Sequence, residues 1–387
     1  MALRGIGFKK LLQPLVEWVR NRIVCGALST DSILRKHISV VPNTVCIHPT
    51  NACNARCVFC NYSYNPEKKI IGKTDQFRKV IDQWLEMMPS VKGTEIDLST
   101  NNGDPLIDPD LIGKISYAKA RGVERIYFST NGILLRKKGL ADALISSLGP
   151  MDSIGISLPG FDREDYERVF GVDKANAVLE GVIALAEAKK AAKSKTEIPL
   201  FFRIDRPFEE VLKDEGMQKL SPYIDDGTII IPPEQIRMDN LFTWGNVITQ
   251  DKLPGTMVLR TIDFKPTRRP CRNPLKDVSV LPEGQVRVCS CQYMTSNHDE
   301  LVIGDTRQQD LSEIIMGPVH RKLVREMANG NWPEVCANCS IYQPIHFTMA
   351  EYTRLLTDVI IHRCTSTFRR IKGGVPSASD NVSSHPD

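Results

Sequence analysis

Three cysteines fall close together in Cys53-Asn-Ala-Arg-Cys57-Val-Phe-Cys60. Spacing this tight lets three thiolates converge on one small inorganic centre. Three protein ligands leave one position for something else, the mark of a reactive rather than a structural metal site. In a four-iron cluster that position is one iron, and soft thiolates suit iron–sulfur chemistry. Half of a zinc site, or three unrelated buried thiols, are the competing readings, although zinc motifs usually pair C-x-x-C units.

A second set follows far down the chain: Cys271, Cys289, Cys291, Cys336 and Cys339. Cys336-Ala-Asn-Cys339 offers two ligands from one turn, and two distant cysteines complete a tetrahedral four-sulfur site. Such a site is fully ligated, so it holds either zinc or a closed iron–sulfur cluster. Cys271 opens the set, and Cys289 and Cys291 follow it. Cys291 is the alternative to Cys289, or else a free thiol near the chemistry and the one candidate catalytic group. Cys25, Cys46 and Cys364 stand alone and read as buried thiols.

Eleven cysteines in 387 residues are too few for a disulfide scaffold. The N-terminus carries Lys9 and Lys10 where a secretory signal needs an unbroken apolar run, so a reducing, cytoplasmic setting is expected. Fifty Lys+Arg against 46 Asp+Glu, a net +4, give no reason to expect a nucleic-acid partner.

The elements that must position these groups alternate from residue 44 onward. Strands are expected at 44–48, 95–99, 125–130, 153–158, 199–204 and 228–231, with helices at 75–88, 110–121, 138–148, 174–192 and 209–220. Six strands alternating with helices argue for an α/β fold of parallel units, either an open doubly wound sheet or a partial barrel. Catalytic groups then belong at the C-terminal ends of the strands. Ahead of the core (44–235), residues 1–43 hold an amphipathic helix at 7–24. Its face of Leu11, Leu12, Leu15, Val16, Val19 and Ile23 is expected to pack on the domain, with peripheral membrane contact as the second reading. Residues 236–345 read as a smaller lobe organised around a metal, 346–372 as a C-terminal helix, and 373–387 as a disordered tail.

C-x-x-x-C-x-aromatic-C after a first strand resembles the radical S-adenosylmethionine (radical SAM) enzymes. The resemblance implies a partial (β/α)6 barrel. It also implies a [4Fe-4S] cluster on Cys53, Cys57 and Cys60 that chelates the cofactor's methionine and cleaves it to a 5′-deoxyadenosyl radical. Phe59 would pack near the adenine. Asn102-Gly103-Asp104-Pro105 is similar to the segment that binds the methionyl amino group, with Asn102 and Asp104 departing from the family's Gly and Glu. Ser129-Thr-Asn131-Gly132 resembles the T-N-G segment. Ile156-Ser157-Leu158-Pro159-Gly160, then Tyr166-Glu through Gly171, resemble S-L-D-G and Y-E-x-x-x-G. Ser157 and Arg203 would contact the cofactor's ribose or carboxylate. The cofactor set is thus Phe59, Gly103, Asp104, Pro105, Asn131, Ser157 and Arg203. The likeness covers roughly residues 44–232.

The second set resembles the auxiliary-cluster domains called SPASM and, best, the shortened twitch form, with one auxiliary [4Fe-4S] cluster on Cys271, Cys289, Cys336 and Cys339. Its expected job is electron relay, in oxidation or epimerisation of a substrate, with flavodoxin or ferredoxin as external electron partner. Arg237, Asp239, Asp263 and Lys265 are the candidates near a proton transfer. Only 43 residues precede the first strand, fewer than a peptide-leader domain needs. That tilts expectation to a small polar, carbohydrate-like substrate over a peptide. The C-terminus lacks the Gly-Gly of molybdopterin-pathway relatives. A non-catalytic iron–sulfur or zinc binding protein is the alternative of another class.

Overall fold

The computed structural model describes residues 41–64, 68–232, 235–237, 241–260, 271–275, 277–289, 300–337 and 339–342. The expected N- and C-terminal helices and the tail lie outside the described residues. So do Cys25, Cys291, Cys364, Asp239, Asp263 and Lys265.

The alternation is present as β1 (Thr44–Ile47), α1 (Thr74–Glu86), β2 (Glu95–Asp97), α2 (Leu111–Ala120), β3 (Arg125–Thr130), α3 (Leu140–Ser147) and β4 (Ser153–Leu158). It continues through α4 (Arg163–Phe170), α5 (Ala175–Ala191), β5 (Leu200–Arg203), α6 (Phe208–Val211), α7 (Glu215–Asp225) and β6 (Ile236–Arg237). In α1, Phe77, Val80, Ile81 and Trp84 recur at helical spacing and are all buried. They meet alternate strand residues (Val45, Ile47, Ile96, Ile126, Phe128, Ile154, Ile156, Leu200, Phe202) in one continuous core. The six strands pair in parallel in the order β6-β5-β4-β3-β2-β1, which makes the fold α/β with a parallel-stranded sheet.

Two elements differ from the sequence expectation. Residues 228–231 contribute only an isolated bridge, Pro199 to Ile230. Gly227 turns left-handed before them (φ 75°) and Pro232 follows, so the run is too confined to extend. The sixth strand is instead the two-residue Ile236–Arg237, with Arg237 in register beside Arg203. The single helix expected at 209–220 is split into α6 and α7.

The Cys-rich C-terminal segment is continuous with the sheet. It forms β7 (Val278–Val280), β8 (Gln285–Arg287), β9 (Val302–Asp305), α8 (Leu311–Ile315), α9 (Pro318–Asn329) and α10 (Glu334–Ala337). β7 pairs in parallel with β1, and β8 and β9 add antiparallel strands beyond it. One sheet therefore carries both cysteine sets. No helix among the described residues is long and apolar enough to cross a membrane.

Side chains alternate across a strand, so the residues that miss the apolar core share the opposite face. Register aligns Arg287 with Ser279, Ser279 with Cys46, Cys46 with Asp97, and Asp97 with Tyr127. One polar row thus crosses β8-β7-β1-β2-β3 on the side away from the core helices.

Candidate active site

The loop carrying Cys53, Cys57 and Cys60 leaves the C-terminal end of β1 and is pinned from several sides. The Arg56 and Val58 amides donate to the carbonyls of Phe170 (2.9 Å) and Val169 (3.0 Å) at the end of α4. Asp162 caps the start of α4, its carboxylate accepting from the Asp165 amide at 3.0 Å. Gly171 closes the helix at φ 67°, and a Cβ there would lie 2.6 Å from the Arg56 carbonyl oxygen. Only glycine permits this approach of helix end to cysteine loop. The Y-E-x-x-x-G segment therefore has a visible task, because α4 and its glycine hold the loop in place. Tyr166, fully buried, directs its hydroxyl to the Asn131 carbonyl at 3.5 Å.

The ends of β2 and β3 complete the support. Asn131 Nδ2 donates to Asn54 Oδ1 (2.7 Å) and lies 3.7 Å from Cys53 Sγ. Asp104 is 2% exposed. Its amide donates to the Ala52 carbonyl at 2.7 Å. Its carboxylate accepts from the Leu106 amide (3.0 Å), the Thr130 hydroxyl (2.8 and 2.9 Å) and the Asn131 amide (2.7 Å). The side chain offered for a ligand ammonium is thus spent inward, lacing the β2 loop to the end of β3. Pro105, buried, opens the short turn that Asp104 caps. Gly103 has φ 150°, and a Cβ there would stand 2.8 Å from the Thr50 carbonyl oxygen. Beside this lacing, Thr100 Oγ1, Asn101 Nδ2 and both amide atoms of Asn102 are buried with no hydrogen-bond partner, as is His48 Nε2 at the end of β1. Buried polar atoms left so are rare and call for a ligand or water.

Phe59 packs edge-on against Phe170, centroids 5.6 Å apart. Its carbonyl accepts from Trp244 Nε1 at 3.0 Å, a contact that no sequence spacing signals. Trp244 has φ 50°, uncommon for a bulky residue. It stacks edge-on with Phe242, which packs against the cluster of Cys271, Cys339, Ile341 and Tyr342. The neighbouring Thr243 amide donates to Ser340 Oγ at 3.2 Å. One short stretch therefore touches both cysteine sets. Ser157 and Arg203 are half-buried at the ends of β4 and β5 on the polar face. Arg203 donates to the carbonyls of Phe202 (3.0 Å) and Gln235 (3.3 Å).

The thiols themselves are electrostatically costly as bare anions. Burial pushes Cys53 up to about 12, with Asp104 adding to it and a bond from the Ala55 amide opposing. Burial pushes Cys60 up to about 11. Cys57 is raised by burial and then by Cys60 and Cys53. In the second set Cys271, Cys289 and Cys339 are each 7% exposed. Cys336 is raised by burial and then by Cys289, Cys339 and Cys271, so the four lie within mutual electrostatic reach. Both donor sets fit iron–sulfur ligation. Metal binding must displace protons from such thiols, and buried thiols near one another become thiolates only when bonded to metal.

On the polar face, burial pushes the Asp97 carboxyl up to about 6, against bonds from Ser99 and with repulsion from Asp277 and Glu95. A folded-state value raised above the ordinary one, about 3.9, favours the neutral carboxyl. That stabilisation is complete below about pH 4 and is lost as pH rises through about 6. Asp97→Asn should flatten this segment of the stability profile. Urea midpoints taken from pH 4 to about pH 7 should fall for the parent relative to the variant; parallel curves would refute the assignment.

Residues 47–214 match the model of the radical SAM superfamily, and residues 271–340 match the SPASM iron–sulfur cluster-binding domain. A probable GTP 3′,8-cyclase of Saccharolobus solfataricus is 32% identical over 134 residues, 34% of this chain and 40% of that protein. The GTP 3′,8-cyclase of Limosilactobacillus fermentum is 30% identical over 156 residues, 39% of this chain and 43% of that protein. The matched part thus spans about two-fifths of these curated relatives. Among solved structures, Streptococcus suis SuiB bound to its precursor peptide SuiA superposes with a TM-score of 0.51 at 14% identity. That superposition covers 75% of this chain and 68% of SuiB, a likeness of fold.

Proposed function

The chain is a radical SAM protein with a C-terminal SPASM domain, and on that premise we propose that it is an enzyme oxidising or epimerising a small polar substrate. Its cofactors are a [4Fe-4S] cluster with S-adenosylmethionine and auxiliary iron–sulfur chemistry in the SPASM domain. Bound at this site, the cluster and S-adenosylmethionine would supply radical hydrogen-atom abstraction from substrate.

Cys53, Cys57 and Cys60 would hold that cluster, in a loop that α4, Asn131 and Asp104 keep rigid. The partnerless polar atoms of Thr100, Asn101, Asn102 and His48 stand where a polar cofactor would satisfy them. Cys271, Cys289, Cys336 and Cys339 would hold the auxiliary cluster.

The observation that carries the substrate reading is the polar row from Arg287 to Tyr127. It crosses one face of the sheet with hydrogen-bonding groups rather than apolar ones. A thiol, a carboxylate, a phenol and a hydroxyl on one face suit a polyhydroxylated or amino-bearing substrate. The test is anaerobic incubation with a reductant, S-adenosylmethionine and deuterated candidates: sugars, aminocyclitols, nucleoside triphosphates and peptides. Deuterium appearing in 5′-deoxyadenosine from one class identifies it. Transfer from peptides alone would overturn the small-substrate reading. Cys336→Ala should spare cofactor cleavage, lower iron from about eight to about four per chain and stop substrate turnover.

A further inference from the structure

Arg287 is fully buried and ends β8, two residues before Cys289. Its Nη1 donates to the Cys289 carbonyl. Its charge therefore stands beside the second cysteine set. It also reaches His48 at the far end of β1, helping burial to hold that imidazole down at about 4. A guanidinium with no exposure to water is an expensive thing to place in a fold. Here it is placed against the backbone of Cys289, a member of the second cysteine set.

We propose that Arg287 is a positioning residue whose charge raises the reduction potential of the auxiliary cluster and so fits it to accept an electron. The inference rests on the auxiliary-site reading above and deepens it toward oxidation. A cluster held by four thiolates is anionic, and one-electron reduction adds one further negative charge. Arginine stays protonated throughout. No proton therefore accompanies the electron, and the guanidinium stabilises the reduced form more than the oxidised one. Burial removes the water that would screen this difference. Net charge and hydrogen bonding around the sulfurs are among the factors that set such potentials. The hydrogen bond to the Cys289 carbonyl fixes where the charge stands.

The test uses the full chain with Cys53, Cys57 and Cys60 replaced by Ala, so that only the auxiliary cluster is loaded. Dithionite, with mediators, supplies the electron, and the reduced cluster is followed by electron paramagnetic resonance. Arg287→Met and Arg287→Gln should lower the potential, changing the reduction equilibrium about tenfold, which is about 59 mV for one electron. Arg287→Lys, which keeps the charge, should stay near the parent. An unchanged potential in a neutral variant with parental iron content would overturn the proposal. So would failure of both neutral variants to load while the Lys variant loads, since Arg287 would then serve assembly. A parent without any cluster would remove the auxiliary-site reading and this proposal with it.

Discussion

Cys57→Ala should abolish 5′-deoxyadenosine formation altogether, measured by chromatography after anaerobic incubation with dithionite and S-adenosylmethionine. The reason lies in ligand count. Three thiols would be the whole protein contribution at the first site, and a cluster that leaves one iron to its cofactor would have no ligand to spare. Cys57 would also be the middle ligand of the loop. Its carbonyl accepts from Ser63 Oγ at 2.8 Å and from the Cys60 amide at 3.1 Å, so the fold around it persists when the thiol goes. The variant should therefore be folded, hold only the auxiliary iron and be inactive. Residual 5′-deoxyadenosine at the parental rate would remove Cys57 from the ligand set.

Asp104→Ala should destabilise the protein by about 3–5 kcal/mol, because three buried donors would lose their acceptor at about 1–3 kcal/mol each, partly relieved by relaxation. Those donors are the Leu106 amide, the Thr130 hydroxyl and the Asn131 amide. Burial raises the Asp104 carboxyl, and these same three bonds pull it back. The loss should appear in urea unfolding of the metal-free protein. A carboxylate whose main task was to grip the cofactor would leave metal-free stability unchanged, and that result would reverse the assignment. Asp104→Asn keeps the size and one acceptor oxygen, and should fall between. Since Asn131 reaches Asn54 and Cys53, iron loading at the first site should weaken along with stability.

What could be read from the chain, and what could not, follows from distance in sequence. Cys53, Cys57 and Cys60 fall within one loop, so their spacing alone suggests a shared centre. The strand-and-helix rhythm is local too, and the first five strands lie where their apolar runs place them. Asp104 resisted because its partners Thr130 and Asn131 are 26 and 27 residues away, and a motif match assigns it outward when it faces inward. Cys46 read as an ordinary buried thiol, and buried it is. Pairing adds that it lies on the polar face, between Ser279 and Asp97. Asp97 itself sat unremarked in a strand, since only register with Cys46 and Tyr127 gives it company. Trp244 left no trace at all in pattern or spacing, because its partner Phe59 lies 185 residues away.

The parallel pairing of β1 with β7 has a consequence for how the molecule comes into being. Val45 lies beside Val278, so the first strand of the barrel waits for a neighbour synthesised more than two hundred residues later. Contacts of such separation close large loops and form slowly. Until β7 emerges from the ribosome, β1 is an unguarded edge, a row of free amides and carbonyls on a Val-Cys-Ile strand that can template pairing with another chain. A chain cut before residue 278 should therefore aggregate rather than yield a tidy barrel. The C-terminal segment is, in this sense, the closing seam of the domain that precedes it.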